Sequence, residues 1–194
     1  GGISNCVSYD PTYAYELAVI IHDGMRRMYR EQENVFYYVT LMNENYSHPE
    51  MPEGAEDGII KGMYKIRKGG REKMHGQLLG CGTILREGEA AAEMREKDWG
   101  VAADVWSATS FNELRRDMDD CERWNRLNPT KKARTCYVAE CLKNAKGPVI
   151  AATDYVRLYA DQIRSVVPAS YTVLGTDGYG RSDTREALRS FFEV

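Results

Sequence analysis

The stretch YTVLGTDGYGRSDTREALRSFFEV, Tyr171 to Val194, decides how the rest of the chain is read. Tyr171, Val173 and Leu174 predict a short buried strand, and Gly175 to Gly180 a glycine-rich turn. Ser182 or Asp183 then stands where a helix cap is needed, ahead of Ala187, Leu188, Phe191 and Phe192 at helical spacing. Strand, tight polar loop and helix is the unit of an α/β sheet. Loops at the carboxyl ends of such strands are where open sheets usually hold ligands.

The same unit recurs upstream, from Gly76 onward. Gln77 to Gly80 reads as a strand, and Gly80-Cys81-Gly82 leads into a helix from Ile84 to Lys97 with Leu85, Ala91 and Met94 inward. Ala103 to Ala108 is a second strand. Ser110 and Glu113 have capping-box spacing for a helix with Leu114, Met118, Cys121 and Leu127 on one face, stopped by Asn128-Pro129. Tyr137 to Leu142 fits a short helix or a strand. Val149 to Ala152 is a strand, and Asp154 caps a helix with Val156, Tyr159, Ile163 and Val166 inward, ended by Pro168. Strands alternating with helices imply a mostly parallel sheet with helices on both faces. The expected fold is therefore a three-layer α/β/α domain over residues 55–194.

The amino-terminal part reads differently. Asp10 can cap a helix whose first position is Pro11, with Ala14, Leu17, Ala18, Ile21, Met25 and Met28 forming an apolar face. His22 in that helix, like Tyr9, Tyr13 and Tyr15, reads as structural. Val35 to Leu41, VFYYVTL, has the continuous apolar character of a strand buried on both faces. Asn43 to Glu53, polar with two prolines, marks a domain boundary. A helix from Gly54 to Ile66 follows, then a charged turn, Lys68 to Lys73. The division expected is 1–42, the end of one α/β domain; 43–54, a linker; and 55–194, the second domain.

Composition narrows the partners. Of 194 residues, 43% are hydrophobic and 28% charged, the balance of a globular protein. No run approaches the roughly 18 apolar residues of a membrane span. A net charge of -3, with Lys and Arg interleaved among Asp and Glu, argues against nucleic acid. Cys6, Cys81, Cys121, Cys136 and Cys141 lack the paired spacing of a zinc site and read as free thiols of a cytosolic protein. No signal peptide is evident, and the opening Gly1-Gly2 reads as an engineered scar or an internal cut.

Few motifs carry chemistry. Gly80-x-Gly82 lacks the third glycine of a dinucleotide fingerprint and reads as close strand-to-helix packing. Gly175-Thr176-Asp177-Gly178 resembles the magnesium-binding GDG of thiamine diphosphate enzymes, but the asparagine that motif needs downstream is missing. Asp117, Asp119, Asp120 and Glu122, interleaved with Arg115, Arg116 and Arg123, read as a solvated, ion-paired face. Asp177, Tyr179, Arg181, Ser182, Asp183 and Arg185 form a candidate interface or substrate-approach loop, since arginine pairs bidentately with carboxylates. No catalytic triad, Cys/His pair or P-loop emerges. On the residues alone, a free-standing module binding a phosphate-bearing metabolite at the Gly80 and Gly175 loops stays open, as does an interaction domain.

Several stretches taken together resemble one family. They are SYDPTYAYE at Ser8 to Glu16, NENY at Asn43 to Tyr46, MPEGA at Met51 to Ala55, LLGCGTIL at Leu78 to Leu85, CERWN at Cys121 to Asn125, TDY at Thr153 to Tyr155 and LGTDGYGRSDTRE at Leu174 to Glu186. In order and nearly end to end, they are similar to the homodimeric, bacterial-type first component of pyruvate dehydrogenase complexes, a transketolase-like superfamily. Cys81 departs from an expected small hydroxyl residue, and Tyr179 from phenylalanine. The resemblance implies the end of the aminopyrimidine-binding domain followed by most of a C-terminal domain, in a protein that continues past Val194. It implies a thiamine diphosphate- and Mg2+-dependent cytoplasmic enzyme that decarboxylates pyruvate and passes the acetyl unit to the lipoyl group of an acetyltransferase. It also implies that the cofactor-binding and catalytic residues lie outside this stretch, so that the piece is structural, binds no cofactor itself and self-associates.

Overall fold

The computed structural model describes residues 3–192. Strand β1 (Cys6–Tyr9) is followed by helix α1 (Ala14–Met25), which runs on into a π-helical turn at Arg26–Arg30. Strand β2 (Phe36–Val39) pairs with β1 in parallel, Cys6 opposite Phe36. No helix or strand intervenes before α2 (Glu56–Lys61). Then come β3 (Tyr64–Arg67), β4 (Met74–Gly80), α3 (Ile84–Trp99), β5 (Val101–Ser107), α4 (Phe111–Leu127) and α5 (Tyr137–Leu142). The chain closes with β6 (Val149–Val156), α6 (Leu158–Asp161), a 3-10 turn, β7 (Tyr171–Thr176) and α7 (Arg185–Phe192).

The main sheet has the order β3-β5-β4-β6-β7. Four strands are parallel, and β3 runs antiparallel along the outer side of β5. On one face Leu79, Trp106, Ala151 and Val173 pack against α4, α5 and α6 through Phe111, Leu114, Val138, Leu142 and Ala160, and against Ile163 just beyond α6. On the other, Val105 and Ala103 meet Leu85 and Ala92 of α3. Residues i and i+1 of a strand face opposite layers, and that alternation gives the three layers expected. The architecture is α/β, with a mixed sheet and helices on both faces.

Several local expectations are corrected. Residues 54–66 do not form one helix: Gly62, at φ +106, ends α2, and Tyr64 begins an edge strand. Ile59, Ile60, Met63 and Tyr64 have helical spacing, yet pairing with β5 overrides it. Strand β6 runs to Val156, so Asp154 lies in a strand and does not cap a helix. The cap of α7 is Thr184, whose Oγ1 accepts from the Ala187 amide at 3.3 Å, one residue beyond Asp183. In α3, Leu85 is buried as expected, together with Ile84 and Ala92, whereas Met94, like Leu127 of α4, is exposed. In α1 the buried residues are Glu16, Ile20, Asp23 and Gly24, while Ala14, Ala18, Ile21 and Met25 face outward. Phe36 and Tyr38 of β2 are exposed as well, so that strand is not buried on both faces. The Ser110 cap holds, with Oγ accepting from the Glu113 amide at 3.0 Å, and α4 ends at Leu127 before Asn128-Pro129.

Candidate functional site

Strands β5 and β6 lie on opposite sides of β4, so the topological switch point of the sheet falls beside the carboxyl end of β4. That crevice is where an open parallel sheet usually receives a ligand. Here the segment Asp10 to Glu16 fills it. The Asp10 amide donates to the Thr109 carbonyl at 2.8 Å, the Gly82 amide to the Asp10 carbonyl at 3.1 Å, and Thr12 Oγ1 to the Gly82 carbonyl at 2.5 Å.

Asp10 is thus not a helix cap, although its position before Pro11 suggested one. Its carboxylate is 6% exposed and accepts from Thr40 Oγ1 at 2.6 Å, from Tyr155 Oη at 2.9 Å and from Tyr159 Oη. Burial and then the Asp10 charge push the Tyr159 hydroxyl far above the usual phenol range, so it remains a donor. Cys81, beside it, gives its thiol to Thr153 Oγ1 at 3.1 Å, and burial pushes that thiol up to about 12. A thiol so protonated is a poor nucleophile.

Glu16 is a second buried carboxylate, 0% exposed. Its Oε2 accepts from the Thr12 amide at 2.5 Å and the Tyr13 amide at 2.9 Å, which caps α1 from within. Its Oε1 accepts at 2.6 Å from both Tyr64 Oη and Ser107 Oγ, the latter at the end of β5. Because Tyr64 gives its proton to Glu16, the 2.6 Å contact between Tyr15 and Tyr64 has Tyr15 as donor. Two carboxylates with every oxygen saturated by hydroxyls and amides make a rigid anchor. Neither is free for acid-base work. Sequence reasoning missed both, although the DPTYAYE stretch carried them.

The loop after β7 is open by contrast. Asp177 pairs with Arg157, and Tyr179 is 97% exposed. The Arg181 guanidinium lies 3.9 Å from the Phe191 ring centroid, Ser182 is exposed, and Asp183 accepts from the Thr184 amide at 2.7 Å. Arg185 reaches Glu44 at 3.0 Å and the Asn43 carbonyl at 3.3 Å. Of the six residues singled out, only Arg185 thus ties the loop to the polar stretch 43–54. Between α7, α3 and the sheet lies a cleft of about 930 Å³, lined by Leu78, Ile150, Ala152, Leu188 and Phe192. Of the arginines that line it, Arg157 is matched by Asp177, and Arg185 and Arg189 by Glu44.

These residues do not fit magnesium or a diphosphate. Asp177 is engaged by Arg157, the Gly82 amide by Asp10, and among the described residues no three His, Cys, Asp or Glu side chains gather as a metal-binding group. Gly80 has a packing role, since a Cβ there would lie 2.6 Å from Leu85 Cα. The acidic run on α4 is ion-paired in part: Asp119 meets Arg115 at 3.3 Å, while Asp117 accepts from the Tyr137 amide at 2.5 Å. No described helix is long and apolar enough to cross a membrane.

A mixed sheet of this order, with its switch point closed by the preceding segment, defines a class. Residues 62–194 match the family described as transketolase-like TK C-terminal domain, and the chain belongs to that family. Residues 1–49 match the family described as pyruvate dehydrogenase E1 component middle domain. Over 99% of its length the chain is 61% identical to the pyruvate dehydrogenase E1 component of Cupriavidus necator, 62% to that of Pseudomonas aeruginosa and 58% to that of Escherichia coli K12. It spans 22% of the length of each of these relatives. Among solved structures, the fold is similar to transketolase from Campylobacter jejuni (TM-score 0.61, 16% identity, covering 97% of this chain and 24% of that one). A split-gene transketolase described as an inactive beta4 tetramer matches with TM-score 0.60 at 15% identity, covering 98% of this chain and 54% of that one.

Proposed function

We propose that this chain is the structural, C-terminal part of a thiamine diphosphate- and Mg2+-dependent pyruvate dehydrogenase first component. The complete protein decarboxylates pyruvate and passes the acetyl unit to the lipoyl group of a dihydrolipoyl acetyltransferase. It works as a cytoplasmic homodimer, and its cofactors are bound by residues outside this chain. Within the chain, residues 1–42 end the aminopyrimidine-binding domain, 43–54 link, and 55–194 form the C-terminal domain. Of the loop residues Asp177, Tyr179, Arg181, Ser182, Asp183 and Arg185, Arg185 packs the loop against the linker through Glu44 and the Asn43 carbonyl, and the loop serves an interface rather than substrate approach.

The observation that carries this reading is the crevice at β4 filled by Asp10. A domain whose ligand crevice is plugged by its own preceding segment is built to be joined to a neighbour. The identities to E1 components supply the reaction. Titration calorimetry of the chain with thiamine diphosphate and Mg2+ tests it: no binding is expected, and micromolar binding would overturn it. The exposed apolar positions Ile21, Met25, Phe36 and Tyr38 favour self-association. Light scattering is expected to give a dimer or larger species, and a clean monomer of intact fold would count against that part.

A further inference from the structure

The far end of α4 and the loop to α5 carry a surface with no part in the reading above. Arg123, Arg126, Lys131, Lys132 and Arg134 are all exposed, and among the described residues none of them has an ion-pair partner. Several arginines elsewhere are matched, Arg27 with Glu33, Arg67 with Glu93, Arg116 with Glu113 and Arg164 with Asp161, whereas here five cations within twelve residues are not. In a chain of net charge -3, the segment from Arg123 to Arg134 carries five cations and no acidic residue.

It is also built. Asn125 grips the backbone of Arg134 from both sides, Nδ2 donating to its carbonyl at 3.0 Å and Oδ1 accepting from its amide at 2.7 Å. Asn128 Nδ2 donates to the Trp124 carbonyl at 2.9 Å, and the Lys131 amide to the Asn128 carbonyl at 3.0 Å. The Arg134 guanidinium lies 4.3 Å and the Lys131 ammonium 6.0 Å from the Trp124 ring centroid. Trp124 and Asn125 of the CERWN stretch therefore hold like charges together against their mutual repulsion. Leu127, the residue that helical spacing assigns to the buried face, is 65% exposed in the middle of them. An exposed apolar residue on the same segment as exposed cations has the composition of a protein interface.

We propose that this corner docks an acidic segment of another protein, whose carboxylates meet the Arg and Lys side chains and whose apolar residue covers Leu127. Nucleic acid fits less well. The Trp124 ring that would stack a base is already engaged by Arg134 and Lys131. The test uses the full chain and a fluorescein-labelled peptide of ten glutamates around one leucine, followed by anisotropy at low salt. R126E/K132E is expected to weaken binding about tenfold or more through lost complementarity, Leu127→Ser about threefold, and the control Lys97→Glu on α3 not at all. Raising the salt to about 0.3 M is expected to weaken the wild type most, since exposed charges are screened beyond a Debye length. Circular dichroism must be unchanged across the set. Equal binding by R126E/K132E, an equal loss in Lys97→Glu, or tighter binding of single-stranded DNA of the same charge would each overturn the proposal.

Discussion

Two ends of parallel strands in this sheet have opposite surroundings. Beside the carboxyl ends of β4 and β6, Asp10 is buried under Thr40, Tyr155 and Tyr159, and near the end of β5 Glu16 is held by Tyr64 and Ser107. At the end of β7, the glycine-rich loop carries an exposed ion pair and a fully solvated tyrosine. The loop has the sequence of a ligand site, and the crevice has the geometry of one. Glycines, Asp and Arg in a turn need only solvent to be content. A closed crevice needs matched partners from distant parts of the chain, and here residues 30, 145 and 149 positions from Asp10 supply them.

The sharpest way to break the contrast is Glu16→Ala. It leaves two hydroxyls and two amides facing an apolar hole, and is expected to cost about 4 kcal/mol, the order found when one member of a buried charged network is removed. Urea unfolding checks it; a loss below about 1 kcal/mol would put Glu16 with ordinary exposed caps. Next in size is Gly80→Ala. Its new Cβ meets Leu85 backbone at 2.6 Å, so α3 must shift. Overpacking of this kind costs about 2 kcal/mol, read as a lower urea midpoint with an unchanged slope.

A smaller, pH-dependent effect belongs to Asp104, midway along β5. Burial pushes its carboxyl up, but the Lys65 ammonium at 2.6 Å, the Gly69 amide and His75 together outweigh it and hold the carboxyl below the usual range. A group depressed in the folded state stabilises above its unfolded value, near pH 4, and loses that contribution as pH falls through the folded one. The stability advantage of the wild type over Asp104→Asn is therefore expected to shrink below about pH 4; a constant difference from pH 6 to 3 would refute the assignment. The smallest effect is at the loop. Arg157→Ala removes the partner of Asp177, and since both are well exposed no change in melting temperature is expected. A drop comparable to that of Gly80→Ala would erase the contrast between the two regions.

Much of the fold was legible. Gln77 to Gly80, Ala103 to Ala108 and Val149 to Ala152 announce themselves by local composition, and Ser110 and Asn128-Pro129 bound α4 by chemistry that acts within a few residues. What escaped depends on distance. Strand β1 has only four residues and gains its meaning from β2 some thirty positions on. Tyr64 has helical spacing with Ile60 and a β-partner in Ser107. Asp10 before Pro11 has the local signature of a cap, and nothing nearby says that Tyr155 and Tyr159 will claim it. The cations of Arg123 to Arg134 were individually visible, but Leu127 has the spacing of a buried residue, and the concentration of charge at one corner follows from the clasp between Asn125 and Arg134.

The central claim, that Asp10 welds the amino-terminal segment into the crevice, is tested most directly by a double-mutant cycle of Asp10→Asn and Tyr159→Phe in urea unfolding. A coupling of about 1 kcal/mol or more is expected, as for residues sharing one buried hydrogen bond. Additivity within about 0.3 kcal/mol would mean that the two side chains do not hold each other, and the account would fail.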